Sequence, residues 1–148
     1  MSALSPDLPL PVPDIDDAPF WNAAAAQHLM FQRCADCGLH RHPPSPMCPR
    51  CQSAHIEWTE APARGTLFSY TVTHVAPHPA LRDFTPYVVG LVAFPTLDGV
   101  RLVTNVVGAE PDELRIGAEV ELVWQPLGAD LHVPRFRLVP RGEQAVDP

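Results

Sequence analysis

CADCGLHRHPPSPMCPRC, residues Cys34 to Cys51, decides how the rest of the chain is read. It holds all four cysteines of the sequence, as two C-x-x-C pairs separated by ten residues. Two residues between thiols let both sulfurs of one turn reach a tetrahedral ion at ~2.3 Å, while backbone N–H groups of that turn stabilise the sulfur charge. Two such knuckles face to face complete a closed S4 site. Cys34, Cys37, Cys48 and Cys51 are therefore predicted to hold one structural zinc ion. Closed coordination leaves no position for water, so this metal is expected to build the fold and not to catalyse.

Three alternatives bear on that reading. Iron in a rubredoxin-like site uses the same four sulfurs, although rubredoxins separate their knuckles much further. Disulfides need an oxidising compartment, for which the chain carries no signal. His40, His42 and His55 lie nearby and could replace a thiolate; with four cysteines in register, they are expected at the surface.

Working outward, Gly65 onward alternates in β-rich runs: GTLFSYTVTHV, YVVGLVAF, VRLVTNVVG, EVELVWQPL and HVPRFRLV. Prolines and glycines punctuate them, including Pro77, Pro86, Pro95, Gly99, Pro111, Gly117 and Gly128. Five such strands, with a longer excursion between the first two, suit a small closed barrel of OB type. Tyr87 to Phe94 is apolar on both faces, as for a strand covered outside as well as inside. In the last run Arg135 and Arg137 alternate against Pro134, Phe136 and Leu138, which predicts that both arginines face water.

Upstream, Asp16 or Asp17 can cap a helix whose first turn holds Pro19. The alanine-rich stretch that follows predicts a helix from about Ala18 to about Met30, with Phe20 and Trp21 on one face. The expected fold class is mainly β: N-terminal helix, rubredoxin-like zinc ribbon, then five-stranded OB-fold barrel. The expected units are a disordered Pro/Asp-rich tail over 1–17, helix plus ribbon over 18–62, barrel over 63–140 and a polar tail over 141–148.

Composition narrows the function. Of 148 residues 18% are charged and 46% hydrophobic, a soluble globular balance. No apolar run reaches the ~20 residues of a membrane span, and no secretory signal is evident, so the expected location is the cytoplasm. Net charge is −7, and all ten basic residues are arginine. The absence of lysine excludes Schiff-base chemistry and the lysine of a P-loop. An acidic chain with 7% aromatics is a poor polyanion binder, which weakens a single-stranded nucleic-acid module, the main alternative for a ribbon joined to an OB barrel. His74 and His78 in HVAPHPAL lack a positioned nucleophile and are read as part of a long loop near a partner or ligand.

From Pro19 to Pro140 the order of segments resembles the zinc-ribbon plus OB-fold family once catalogued as a domain of unknown function. The matching stretches are PFWNAAAAQHLMFQRCADCG, PPSPMCPRCQS, RGTLFSYTVTHVAPHPAL, PYVVGLVAF, VRLVTNVVG and PDELRIGAEVELVW. The resemblance implies a subunit that docks on a thiolase-fold enzyme or an acyl-CoA hydratase and helps hold acyl-coenzyme A, in lipid, steroid side-chain or related acyl-CoA metabolism. Many relatives carry arginine after the double proline, where this chain has Ser45 after Pro43 and Pro44. Arg41 or Arg50 would then have to replace that arginine, and Arg33, Arg41 and Arg50 together are the expected acyl-coenzyme A contacts. Phe20, Trp21, His74 and His78 are the expected partner-binding side chains, because the helix has little of its own domain to pack on.

Overall fold

The computed structural model describes residues 7–140; the C-terminal tail expected over 141–148 lies outside them, as do the first six residues. A short helix α1 (Ala18–Ala25) leads into a three-stranded antiparallel sheet in the order β2-β1-β3, made of β1 (Met30–Cys34), β2 (His40–Arg41) and β3 (Ile56–Glu60). β4 (Arg64–Thr73), β5 (Tyr87–Phe94), β6 (Val100–Val106), β7 (Glu119–Leu127) and β8 (Leu131–Leu138) close a barrel in the order β4-β5-β6-β8-β7. That is the five-stranded OB arrangement the alternation predicts.

The helix is shorter than its alanine run suggests. After Ala25 the chain enters a left-handed turn at Gln27, φ 62°. His28 N–H then donates to the Ala23 carbonyl and Gln27 N–H to that of Ala24, a Schellman ending made without glycine. Leu29 thereby leaves the helix and still reaches the core, 2% exposed. Asp17 occupies the N-cap without capping through its side chain; its carboxylate instead accepts from the Asp14 amide and from Trp21 Nε1.

Ribbon and barrel share one core. Phe31 on β1 meets Phe94 on β5 at 5.1 Å between ring centroids, and Phe94 meets Phe136 on β8 at 6.0 Å. Phe20 from the helix joins the same cluster at 5% exposure, where its ring packs on Trp21 and His42. Helix and barrel are further tied by His132, whose Nδ1 lies 3.1 Å from the Ala25 carbonyl oxygen. The expectation that Phe20 offers a docking surface is therefore corrected: the barrel supplies the apolar neighbours the helix needs. Two glycines let the strands close. A Cβ on Gly90 would lie 2.7 Å from Val106 Cγ2, and one on Gly65 would lie 2.6 Å from Val92 Cγ1.

The barrel has one weak seam. β6 and β8 run parallel with a single paired position, Val106 opposite Phe136, extended by Val107 N–H on the Phe136 carbonyl. Pro134 brings no N–H to this seam, and Thr104 Oγ1 donates across it to the Pro134 carbonyl at 2.8 Å. β5 is covered on both faces only near its end, at Val92, Ala93 and Phe94. No helix among the described residues is long and apolar enough to cross a membrane.

Candidate metal centre

Each cysteine pair sits in the same tight turn. Gly38 N–H bonds the Cys34 carbonyl and Cys34 N–H bonds the Leu39 carbonyl; Gln52 and Ser53 repeat both bonds around Cys48. The turn demands a left-handed residue after the second cysteine. Gly38 meets that demand at φ 76°, and Gln52 at φ 62°. The second knuckle was legible from its cysteines alone, because glutamine carries no signal for such a conformation.

The two turns bring all four sulfurs within 4.8 Å of one another, with Cys34 to Cys51 at 3.6 Å and Cys37 to Cys48 at 3.5 Å. Ligands ~2.3 Å from a tetrahedral ion stand roughly 3.8 Å apart, so the donor set fits one zinc with little adjustment. Its electrostatics fit as well. Backbone N–H groups of Cys37 and Asp36 lower the Cys34 thiol to about 6, and those of Cys51 and Arg50 lower Cys48. The Ser53 amide favours the Cys51 thiolate, yet desolvation and the three neighbouring thiols push that group up to about 12. Four thiols this close cannot all ionise without a cation among them, and a divalent ion removes that conflict. When bound, zinc supplies cross-linking of the two knuckles and no open coordination position.

Around the site, Ser53 Oγ donates to Asp36, which also lies 3.1 Å from His55 Nδ1, so the two knuckles are bridged outside the sulfurs. Asp36 is held below its usual carboxylate range, first by Ser53 and then by His55. Gln32, 1% exposed, accepts the Ser45 amide at 2.9 Å and anchors the loop between the knuckles. Nothing in the sequence singles Gln32 out, since a lone glutamine in a strand reads as surface. His40 is corrected from its expected surface position: its backbone N–H donates to Asp98 at 2.9 Å and its Nδ1 lies 2.8 Å from the same oxygen, fastening ribbon to barrel. His42 is corrected too. It is wedged between Phe20 and Phe31 with Nδ1 buried and unpartnered, and desolvation lowers it to about 4. His55 is exposed as expected.

The three ribbon arginines do not form one cluster of open donors. Arg33 is spent on Glu57 at 2.6 Å, directly across the β1–β3 pair. Arg41 is 8% exposed and donates through Nη2 to the Ser45 carbonyl, with Nε and Nη1 buried and unpartnered. Arg50 is exposed on the second knuckle. Trp21 is half-buried on the core. His74 is exposed, whereas His78 Nδ1 accepts the Ala80 amide and caps the 3-10 turn Pro79–Phe84. Of the two arginines expected to face water on β8, Arg137 is exposed and bonds Glu121 at 2.6 Å. Arg135 departs from the expectation: burial in the β6–β8 seam lowers it to about 10.

Residues 21–57 match the family described as ChsH2, rubredoxin-like zinc ribbon domain, and residues 58–125 match ChsH2, C-terminal OB-fold domain. A chain of the solved "Ltp2-ChsH2(DUF35) aldolase" is similar with TM-score 0.79 and 43% identity, over 87% of this chain and 98% of that one. The chain belongs to the DUF35 family. Among curated relatives, a "DUF35 domain-containing scaffold protein" of Methanocaldococcus jannaschii is 30% identical over 69% of this chain and 71% of its own length. A "Probable enoyl-CoA hydratase alpha subunit" of Thermomonospora curvata is 44% identical over 91% of this chain. This DUF35 chain spans 41% of that relative's length.

Proposed function

We propose that this chain is an accessory subunit that docks on a thiolase-fold or hydratase enzyme and completes the walls of its acyl-coenzyme A site. The partner supplies the reacting groups for thiolytic, aldol-type or hydration chemistry. The observation that carries this reading is the match along 98% of the DUF35 chain of an aldolase, with the scaffold and hydratase names of other relatives in support. A metal closed by four sulfurs offers no catalytic position, which suits a platform more than an enzyme. Exposed apolar side chains on the barrel supply contact area: Val103 is 68% exposed, Ile116 70% and Val75 79%. Arg50 is the ribbon arginine exposed to meet a phosphate, and four thiolate ligands suit a reducing compartment such as the cytoplasm.

One feature favours a nucleic-acid module: Arg101 stacks 3.7 Å over Phe68, which is 44% exposed. A single such platform on a chain of net charge −7 makes no electrostatic groove.

The test is a tagged pull-down from the native host, with bound proteins identified by mass spectrometry and nucleic acid read by absorbance. A thiolase-fold enzyme or acyl-CoA hydratase should co-purify in fixed ratio. Recovery of nucleic acid without such an enzyme would overturn the reading.

A further inference from the structure

The seam between β6 and β8 opens into a cleft of about 260 Å³, with Phe84, Tyr87 and Val106 among its walls and Gln125 and Arg135 on its lining. Arg135 also lines two neighbouring depressions, one running towards Trp21 and Asp16, the other along Val103. Its charge is poorly answered. Among the described residues Arg33, Arg64 and Arg137 each pair with a glutamate, and Arg115 donates to main-chain carbonyls. Arg135 pairs with no carboxylate among the described residues, and its one bond there is from Nε to Gln125 Oε1 at 3.2 Å.

That bond fixes the amide. Because Nε must donate, Oε1 is the atom facing it, and Nε2 is left as the other end of the Gln125 side chain. Gln125 is 8% exposed and its Nε2 is buried without an acceptor. An unpaired buried donor is destabilising, and an incompletely paired, half-buried cation adds to that cost. A buried amide donor without an acceptor and a guanidinium answered only by a neutral oxygen therefore meet on one apolar-walled cleft. The chemistry that answers both is a planar pair of acceptor oxygens carrying one negative charge. Asp83 and Glu110 also line this cleft, and Asp14, Asp16 and Asp17 line the adjoining one. Those carboxylates repel multiply charged groups far more than a single charge.

We propose that the cleft formed by Arg135 and Gln125 is a binding site for one carboxylate group. The desolvation that lowers Arg135 is consistent with a guanidinium held ready for such a partner. A small acyl acid and an Asp or Glu side chain of a docked protein share this chemistry.

The zinc-loaded full chain is titrated with sodium butanoate, butanamide and inorganic phosphate at matched ionic strength. The NMR signals of Arg135 Nε–H and of the Gln125 side-chain amide report binding. Butanoate should shift both saturably, and more tightly than the other two probes. Arg135→Met, which keeps the aliphatic stem, should weaken butanoate by at least about tenfold, as expected for loss of a charged hydrogen bond. Arg137→Met, on the same strand and exposed, should leave it unchanged. No saturable shift, equal binding by phosphate or butanamide, or full binding by Arg135→Met would each overturn the proposal. The titration needs no enzyme partner, so it fails or succeeds independently of the accessory-subunit reading. Repeating it on an enzyme complex separates the sources: butanoate excluded there means a partner's carboxylate fills the cleft, and butanoate retained means a small acid does.

Discussion

Between Met30 and Glu60 the ribbon buries two cysteines, one glutamine, one arginine and one phenylalanine, whereas the barrel buries a continuous set of aliphatic and aromatic side chains from all five strands. β2 is two residues long, and every residue of β3 is at least partly exposed. A piece of chain this short cannot bury enough apolar surface to hold itself, since units below ~40 residues need a metal or cross-links. The barrel needs neither. Cooperativity between the two regions must come from the places where they touch, the Phe31–Phe94 ring contact and the His40–Asp98 clasp, while His42 ties the ribbon to Phe20 of the helix.

The largest expected effect tests that division. Cys48→Ser, or zinc removal by a chelator, withdraws metal-binding free energy on the order of 10 kcal/mol from the ribbon alone. Hydrogen exchange should show ribbon amides losing protection while β5, β6 and β7 keep theirs. Equal loss in both regions would mean that the barrel leans on the metal as well.

Next in size is the junction. The His42 imidazole ordinarily titrates near 6.5 and is lowered to about 4 by burial. Between those values the unfolded chain binds a proton that the folded chain refuses. Its contribution is thus fully present above about pH 6.5 and falls away as pH drops towards 4, by roughly 3 kcal/mol in all. Urea unfolding across that range should show the loss in the wild type and a much flatter profile in His42→Phe. An unchanged slope in the variant would place the acid sensitivity elsewhere, most directly at the zinc ligands.

The smallest effect compares the two knuckles with each other. Gln52 holds the left-handed conformation that Gly38 holds in the first turn. Gln52→Gly should stabilise the zinc-bound chain by about 1 kcal/mol, the cost of placing an ordinary residue there. A thermal melt reads it, and a loss of stability would show that the glutamine side chain earns its place by contacts outside the turn.

Much of this architecture is legible residue by residue. Tyr87–Phe94 and Glu119–Leu127 form strands with the bounds their β-rich runs mark, because apolar patterning and flanking prolines or glycines act locally. The helix end was not legible, since a Schellman turn closed by Gln27 replaces the glycine that usually announces it. The burial of Phe20 was not legible either. Whether a helix packs on its own barrel or on another protein depends on chain directions that no local pattern records.

By itself, then, the sequence determined the metal site and the class of fold: four cysteines at fixed spacing admit one closed tetrahedral site, and five alternating runs admit a small barrel. Tertiary structure alone decided which arginines have partners. Arg135 and Arg137 sit two residues apart on one face of a strand, and pattern treats them alike. The single-pair seam between β6 and β8 shelters one and leaves the other on Glu121, because burial and ion pairing are set by neighbours distant in the chain.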